Sequence, residues 1–93
     1  MSYKFSTATY LTAGIRYEVD ESKDFASFVM QCIRRHFTGD WGDTKDKEKN
    51  DMALERGGDR IFSVYVQPGT ETRIWIITEH DRTGTTVLLP SEY

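Results

Sequence analysis

The sequence predicts an α+β domain: two helices packed on an antiparallel sheet of three to four strands, in the order β-α-α-β-β-β. Three observations predict it. First, Phe25, Phe28, Val29, Cys32, Ile33 and Phe37 follow the i, i+3, i+4, i+7, i+8 spacing of a buried helical stripe. Second, the last third alternates in strand fashion and is cut by turn signals at Pro68-Gly69 and at residues 80–84. Third, 93 residues make one domain with a modest core, and 13% aromatic content favours folding over disorder.

Taken in order, residues 3–12 are rich in Thr and aromatic residues and read as a first strand. Ala13-Gly14 breaks it, and residues 15–19 fit either a helical turn or a continued strand. Asp20-Glu21-Ser22 supplies short polar and acidic side chains for a helix start. The striped helix follows, with Arg34 and Arg35 suiting its negative end and Gly39 stopping it. Gly39-Asp40-Trp41-Gly42-Asp43 reads as a tight structured loop. Asp43, with Asp46 three positions on, is expected to cap a second helix over residues 44–56. That helix has only Met52, Ala53 and Leu54 as apolar residues and is expected to pack weakly. Gly57-Gly58 ends it.

The strand at residues 60–67 places Phe62, Val64 and Val66 on one face and Ile61, Ser63 and Tyr65 on the other. Arg73–Thr78 forms the next strand and Thr85–Leu89 the last, before Pro90. The run Arg73-Ile74-Trp75-Ile76-Ile77-Thr78 is the most strand-like in the chain, and it ends in Glu79-His80-Asp81-Arg82.

Composition narrows the function classes. The net charge is −3, so strong nonspecific nucleic-acid binding is not expected and a protein partner fits better. The single cysteine, Cys32, lies on the apolar stripe. It reads as an inert core residue in a reducing compartment. The first residues lack the apolar run of a signal peptide and no stretch is long enough to span a membrane, so a cytoplasmic location is expected.

Four constellations carry possible chemistry. Glu79, His80 and Asp81 could serve acid–base catalysis, but neighbours on an extended chain point to opposite faces. A polar hairpin tip or a contact surface is the simpler reading. Trp41 is either a core plug or a binding anchor of the kind that dominates interfaces. His36, Asp40 and Asp43 could in principle ligate a metal, although such sets are common by chance. Arg34, Arg35 and His36, with Lys4 and Arg16, could form a small basic patch, but dipole pairing at a helix end explains them more simply. No phosphate-binding glycine loop or nucleophile elbow occurs, and no cofactor is expected.

Several stretches resemble a family of short proteins of bacterial mobile elements, often labelled plasmid-related proteins. The residues that carry the likeness are Gly39-Asp40-Trp41-Gly42-Asp43, Ile74-Trp75-Ile76-Ile77-Thr78-Glu79, Asp81-Arg82, Thr85-Thr86-Val87-Leu88 and Glu92-Tyr93. The likeness covers most of the chain. His80 departs from it, standing where a small residue is more usual, and the run after Asp43 is richer in lysine. The family brings no activity and no catalytic residues. What the resemblance implies is a setting of plasmids, integrated elements and phages, where small acidic proteins often block host defence.

The residue readings favour a non-enzymatic binding protein that contacts a protein partner, and the resemblance implies a partner such as a bacterial defence complex, as an anti-CRISPR or anti-restriction inhibitor would meet. The expected contact residues are Asp40, Trp41, Asp43, Glu79, Asp81 and Arg82. The alternatives are a small nucleic-acid-associated protein using Arg34, Arg35 and Trp41, and, more remotely, an enzyme using Glu79, His80 and Asp81. Either a monomer or a homodimer paired through an exposed edge strand is compatible with the sequence.

Overall fold

The computed structural model describes residues 5–93, so the Tyr3 and Lys4 part of the expected first strand lies outside the described residues. The elements are β1 (Thr9–Leu11), α1 (Ala13–Glu21), α2 (Lys23–Phe37), α3 (Lys47–Arg56), β2 (Ile61–Val66), β3 (Arg73–Thr78) and β4 (Thr85–Leu88). A short 3-10 turn at Pro90–Glu92 follows. The fold is α+β, with the sheet in the order β1-β4-β3-β2.

Two details of the N-terminal part of the chain differ from expectation. β1 runs parallel to β4, so the sheet is mixed rather than antiparallel. A parallel neighbour needs a long crossover, which the three helices and the β2–β3 hairpin provide here. The second difference is α1, which occupies the stretch where a break at Ala13-Gly14 was expected.

The cause of α1 is a contact distant in sequence. Thr12 Oγ1 accepts the Ile15 amide at 3.4 Å, as an N-cap does. The Glu92 carboxylate then accepts the Gly14 amide at 2.9 Å and the Thr12 hydroxyl at 2.6 Å. The Thr12 hydroxyl, followed by the Leu89 amide, holds the Glu92 carboxyl below its ordinary range. A Cβ on Gly14 would sit 2.8 Å from that carboxyl group, which is why the position suits glycine.

α2 begins at Ser22, whose Oγ accepts the Phe25 amide at 3.1 Å; Asp20 and Glu21 belong to the end of α1. Its stripe is buried as expected at Phe25, Phe28, Val29, Cys32 and Phe37, with Ile33 partly buried. All of these but Phe37 pack with Ile15, Tyr65, Ile74, Ile76 and Val87 into the main core cluster, while the Phe37 ring meets Phe5 and His36. Each such burial is worth about 1.5–3 kcal/mol.

α3 begins at Lys47, later than expected. Asp46 is its N-cap residue but makes no side-chain capping bond, and Asp43 does not cap it either. The reason is that residues 41–43 run along the edge of β2. Gly42 bridges to Val64 in parallel, Val64 donates to the Trp41 carbonyl at 3.2 Å, and Asp43 donates to the Val64 carbonyl at 2.7 Å. Helical geometry cannot start until the chain leaves that edge. Gly42 is required here: its φ is +69°, and a Cβ would lie 2.0 Å from the Val64 carbonyl oxygen.

α3 is fastened to the same edge by Asn50. Its carboxamide donates to the Phe62 carbonyl at 2.6 Å and accepts the Phe62 amide at 3.0 Å, replacing a missing strand partner. Ala53 joins Trp41 and Ile61 in a second core cluster. The β2–β3 turn matches its signal, with Gly69 at φ +78° and Thr70 donating to the Gln67 carbonyl at 3.1 Å.

All three helices bury side chains against one face of the sheet, that of Ile61, Ser63, Tyr65, Ile74, Ile76, Thr78, Thr85 and Val87. The opposite face carries Phe62, Val64, Trp75 and Thr86, all partly exposed, together with Ile77 and Leu88, which are buried, and the Tyr93 ring stands against Trp75.

Candidate interaction surface

The sequence candidates divide into those used inside the fold and those left at its surface. His36 is the clearest inside case, at 0% exposure. It lies on the α2 stripe, four residues beyond Cys32. Its Nδ1 bonds Ser63 Oγ at 2.6 Å and its Nε2 bonds Thr78 Oγ1 at 2.8 Å. Thr78 Oγ1 pairs with Thr85 Oγ1 at 2.7 Å, and Thr85 pairs with Thr7. The rings of Phe5, Phe37 and Trp41 stand edge-on around the imidazole.

Burial pushes His36 down to a pKa of about 3, so it is neutral. A neutral imidazole has one donor and one acceptor nitrogen, and two hydroxyls satisfy both. The possible metal set of His36, Asp40 and Asp43 is therefore not assembled, because the imidazole is inside with both nitrogens spent. Among the described residues no group of three His, Cys, Asp or Glu side chains could hold a metal ion. Of the expected basic patch, His36 is buried and Arg35 is paired with Asp40, while Lys4 lies outside the described residues.

Asp40 receives Arg35 Nε at 2.7 Å and Nη2 at 3.1 Å, the one ion pair among the described residues. The guanidinium holds the Asp40 carboxyl below its usual range. Both side chains are about half exposed, so the pair is worth under about 1 kcal/mol. The Asp40 carbonyl accepts the Tyr65 hydroxyl at 2.7 Å, and Arg35 lies 4.8 Å over the Tyr65 ring. Trp41 is 3% exposed and donates Nε1–H to Asp51 at 2.8 Å. Of its two candidate roles it takes that of core plug, since the indole is not presented to a partner. Cys32 is buried, and burial pushes its thiol up to about 12.

At the hairpin tip, Arg82 has φ +59°, a left-handed conformation that is strained for a side-chain-bearing residue. Its guanidinium offsets that strain by reaching four carbonyls. Nη2 donates to Ala53 at 2.6 Å, and Nη1 to Asp59, Glu79 and His80 at 2.8, 3.1 and 3.2 Å. Ala53 lies in the last turn of α3, where a cation is favoured. Asp81 accepts the hydroxyl and amide of Thr83 at 2.7 and 3.1 Å, which lowers its carboxyl pKa. Asp81 therefore turns back onto its own loop, while Glu79 and His80 are exposed.

A shallow trough lies along the partly exposed side of the sheet. Two solvent-open depressions of about 400 and 350 Å³ lie side by side there, with Asp46 and Phe62 lining both. Phe62, Val64 and Trp75 form the floor, with Phe62 and Trp75 ring centres 5.0 Å apart. Tyr93 stands edge-on to Trp75 at 5.4 Å and accepts a hydrogen bond from Arg60 at 3.0 Å. Lys45, Lys49, Arg60, Arg73 and His80 line the rim with Asp43, Asp46 and Asp59.

Asp43 is thus the one expected contact residue that borders the trough, joined by His80. Phe62, Trp75, Arg60 and Arg73 were not singled out from sequence. Strand alternation had grouped Phe62 with Val64, but nothing local says which face of a strand is covered. No protein-family profile matches the chain, and no curated protein and no solved structure matches it either.

Proposed function

We propose that this chain is a non-catalytic cytoplasmic binding protein of a plasmid- or phage-type mobile element, acting by protein–protein contact on a host-defence complex of the CRISPR or restriction class. The observation that carries the binding part is the trough. An aromatic floor lies open on a sheet face, and Lys45, Lys49, Arg60 and Arg73 rim it without a carboxylate in ion-pairing range. Half-exposed aromatic residues ringed by charge are the usual composition of an interface centre. The complementary partner is a protein segment with an apolar or aromatic side chain flanked by carboxylates. Open, shallow depressions suit such contact better than enclosure of a small reactant. The mobile-element setting and the defence partner come from the resemblance alone.

The test uses purified CRISPR effector and restriction complexes, with plasmid-interference assays in matching hosts. Trp75→Ala, and Arg60→Glu combined with Arg73→Glu, should abolish capture and restore interference while leaving the protein folded. Unchanged interference by every system assayed would sink the proposal.

A second reading has a specific observation in its favour. Phe62 and Trp75 between Arg60 and Arg73 also suit stacking of single-stranded bases. This moves the nucleic-acid alternative away from Trp41 and Arg35. The overall charge of −3 opposes it. Failure of a labelled oligonucleotide to bind at low salt would remove it.

A further inference from the structure

We infer that two copies of this chain pair antiparallel through β1, joining their sheets into one of eight strands. The two outer edges of the sheet are treated differently. On β2, the outward backbone groups of Val64 are bonded by Trp41 and Asp43, and those of Phe62 by Asn50. Among the described residues, no backbone bond to the outward side of β1 corresponds to these. Its pairing with β4 uses the Ala8 carbonyl, which accepts from Thr85 at 2.9 Å, and the Thr12 amide, which donates to Val87 at 3.1 Å. Even-numbered positions therefore face β4. The amides and carbonyls of Thr9 and Leu11 face outward from the edge.

Charge selects a second copy as the occupant. A two-fold axis sets each residue against its own mate or near it, so a charged edge would bring like charges together. Residues 5–15 contain no charged side chain, in a chain that is 29% charged. This edge can therefore meet itself without repulsion. With the axis at Tyr10, Thr9 of one copy faces Leu11 of the other, and the two residues exchange both backbone bonds. The symmetric pair does the same, giving four bonds. The Tyr10 side chains meet across the axis. Tyr10 is 57% exposed and Leu11 36%, so pairing covers apolar surface now in water.

Strands this short make a small interface, so dimers should form only at roughly tens to hundreds of micromolar. Sedimentation equilibrium is the test. The wild type should rise from 10.8 kDa toward twice that mass with concentration. Leu11→Lys places like charges near the axis, and Thr9→Pro removes an outward amide that β4 does not use. Both should stay at the monomer mass with an unchanged circular-dichroism spectrum. Amide exchange at Thr9 and Leu11 in the wild type should slow as concentration rises, a readout that needs no variant. A wild type that stays monomeric to about 1 mM, dimers that persist in both folded variants, or exchange independent of concentration would each overturn the inference.

Discussion

The two faces of the sheet come from the same strands and have opposite characters. The inner face holds Ser63, Thr78 and Thr85 beside Ile61 and Ile76, yet it is the dry one. The outer face buries Ile77 and Leu88 but leaves Phe62, Val64 and Trp75 only half covered. Residue hydrophobicity by itself would assign them the other way round. The inner hydroxyls are tolerated because His36 and its neighbours satisfy one another, and no buried side-chain polar atom among the described residues lacks a partner. The outer aromatic residues Phe62 and Trp75 stay partly in water, packed on each other and, for Trp75, on Tyr93. A polar face that is fully bonded internally is structural, and an apolar face left open is available for contact.

The largest expected break comes on the inner side. Trp41→Ala should cost about 3–5 kcal/mol, since it empties the second core cluster and leaves Asp51 without the indole donor. Urea denaturation measures it. A loss below about 1 kcal/mol would mean that the loop does not plug the core.

The next effect follows from His36. The folded imidazole titrates at about 3 against an ordinary 6.5, so the unfolded chain binds a proton that the native state refuses. Stability is then complete above pH 6.5 and falls as the pH drops toward 3, at up to about 1.4 kcal/mol per pH unit. Urea midpoints from pH 7 to 4.5 should show this slope, and His36→Gln should flatten it. An equal slope in the variant would assign the acid sensitivity to the carboxylates instead.

Arg82→Ala should cost about 1–2 kcal/mol by releasing the hairpin tip from the end of α3. Arg82→Lys should recover little of that, because an ammonium cannot span carbonyls on both segments. Arg82→Gly separates strain from bonding, since it relieves the positive φ without restoring the contacts. Thermal melts of the three variants rank the two contributions.

The smallest stability effect should come from the outer side. Arg60→Glu with Arg73→Glu should shift stability by no more than about 0.5 kcal/mol while reducing partner capture more than tenfold. Similar losses of stability and binding would mean that the rim is structural and would blur the contrast between the faces.

By itself the sequence determined the elements whose cause is local. The α2 stripe is a periodicity, the Pro68-Gly69 turn is a backbone preference, and the alternation of β2 and β3 is built into extended chain geometry. Tertiary structure decided what depends on partners far along the chain. Glu92 starts α1 across nearly the whole sequence, and Arg82 ties the hairpin tip to α3. Residues 41–43 delay α3 because they pair with β2. His36 falls at the stripe's spacing, four residues beyond Cys32, yet as a polar residue it reads from sequence as a patch or metal candidate; only the fold supplied Ser63 and Thr78 to make its burial tolerable. The same holds for the trough. Alternation separates Phe62 from Ser63, but which of them faces water depends on where the helices pack, a choice made by the summed burial of the whole chain.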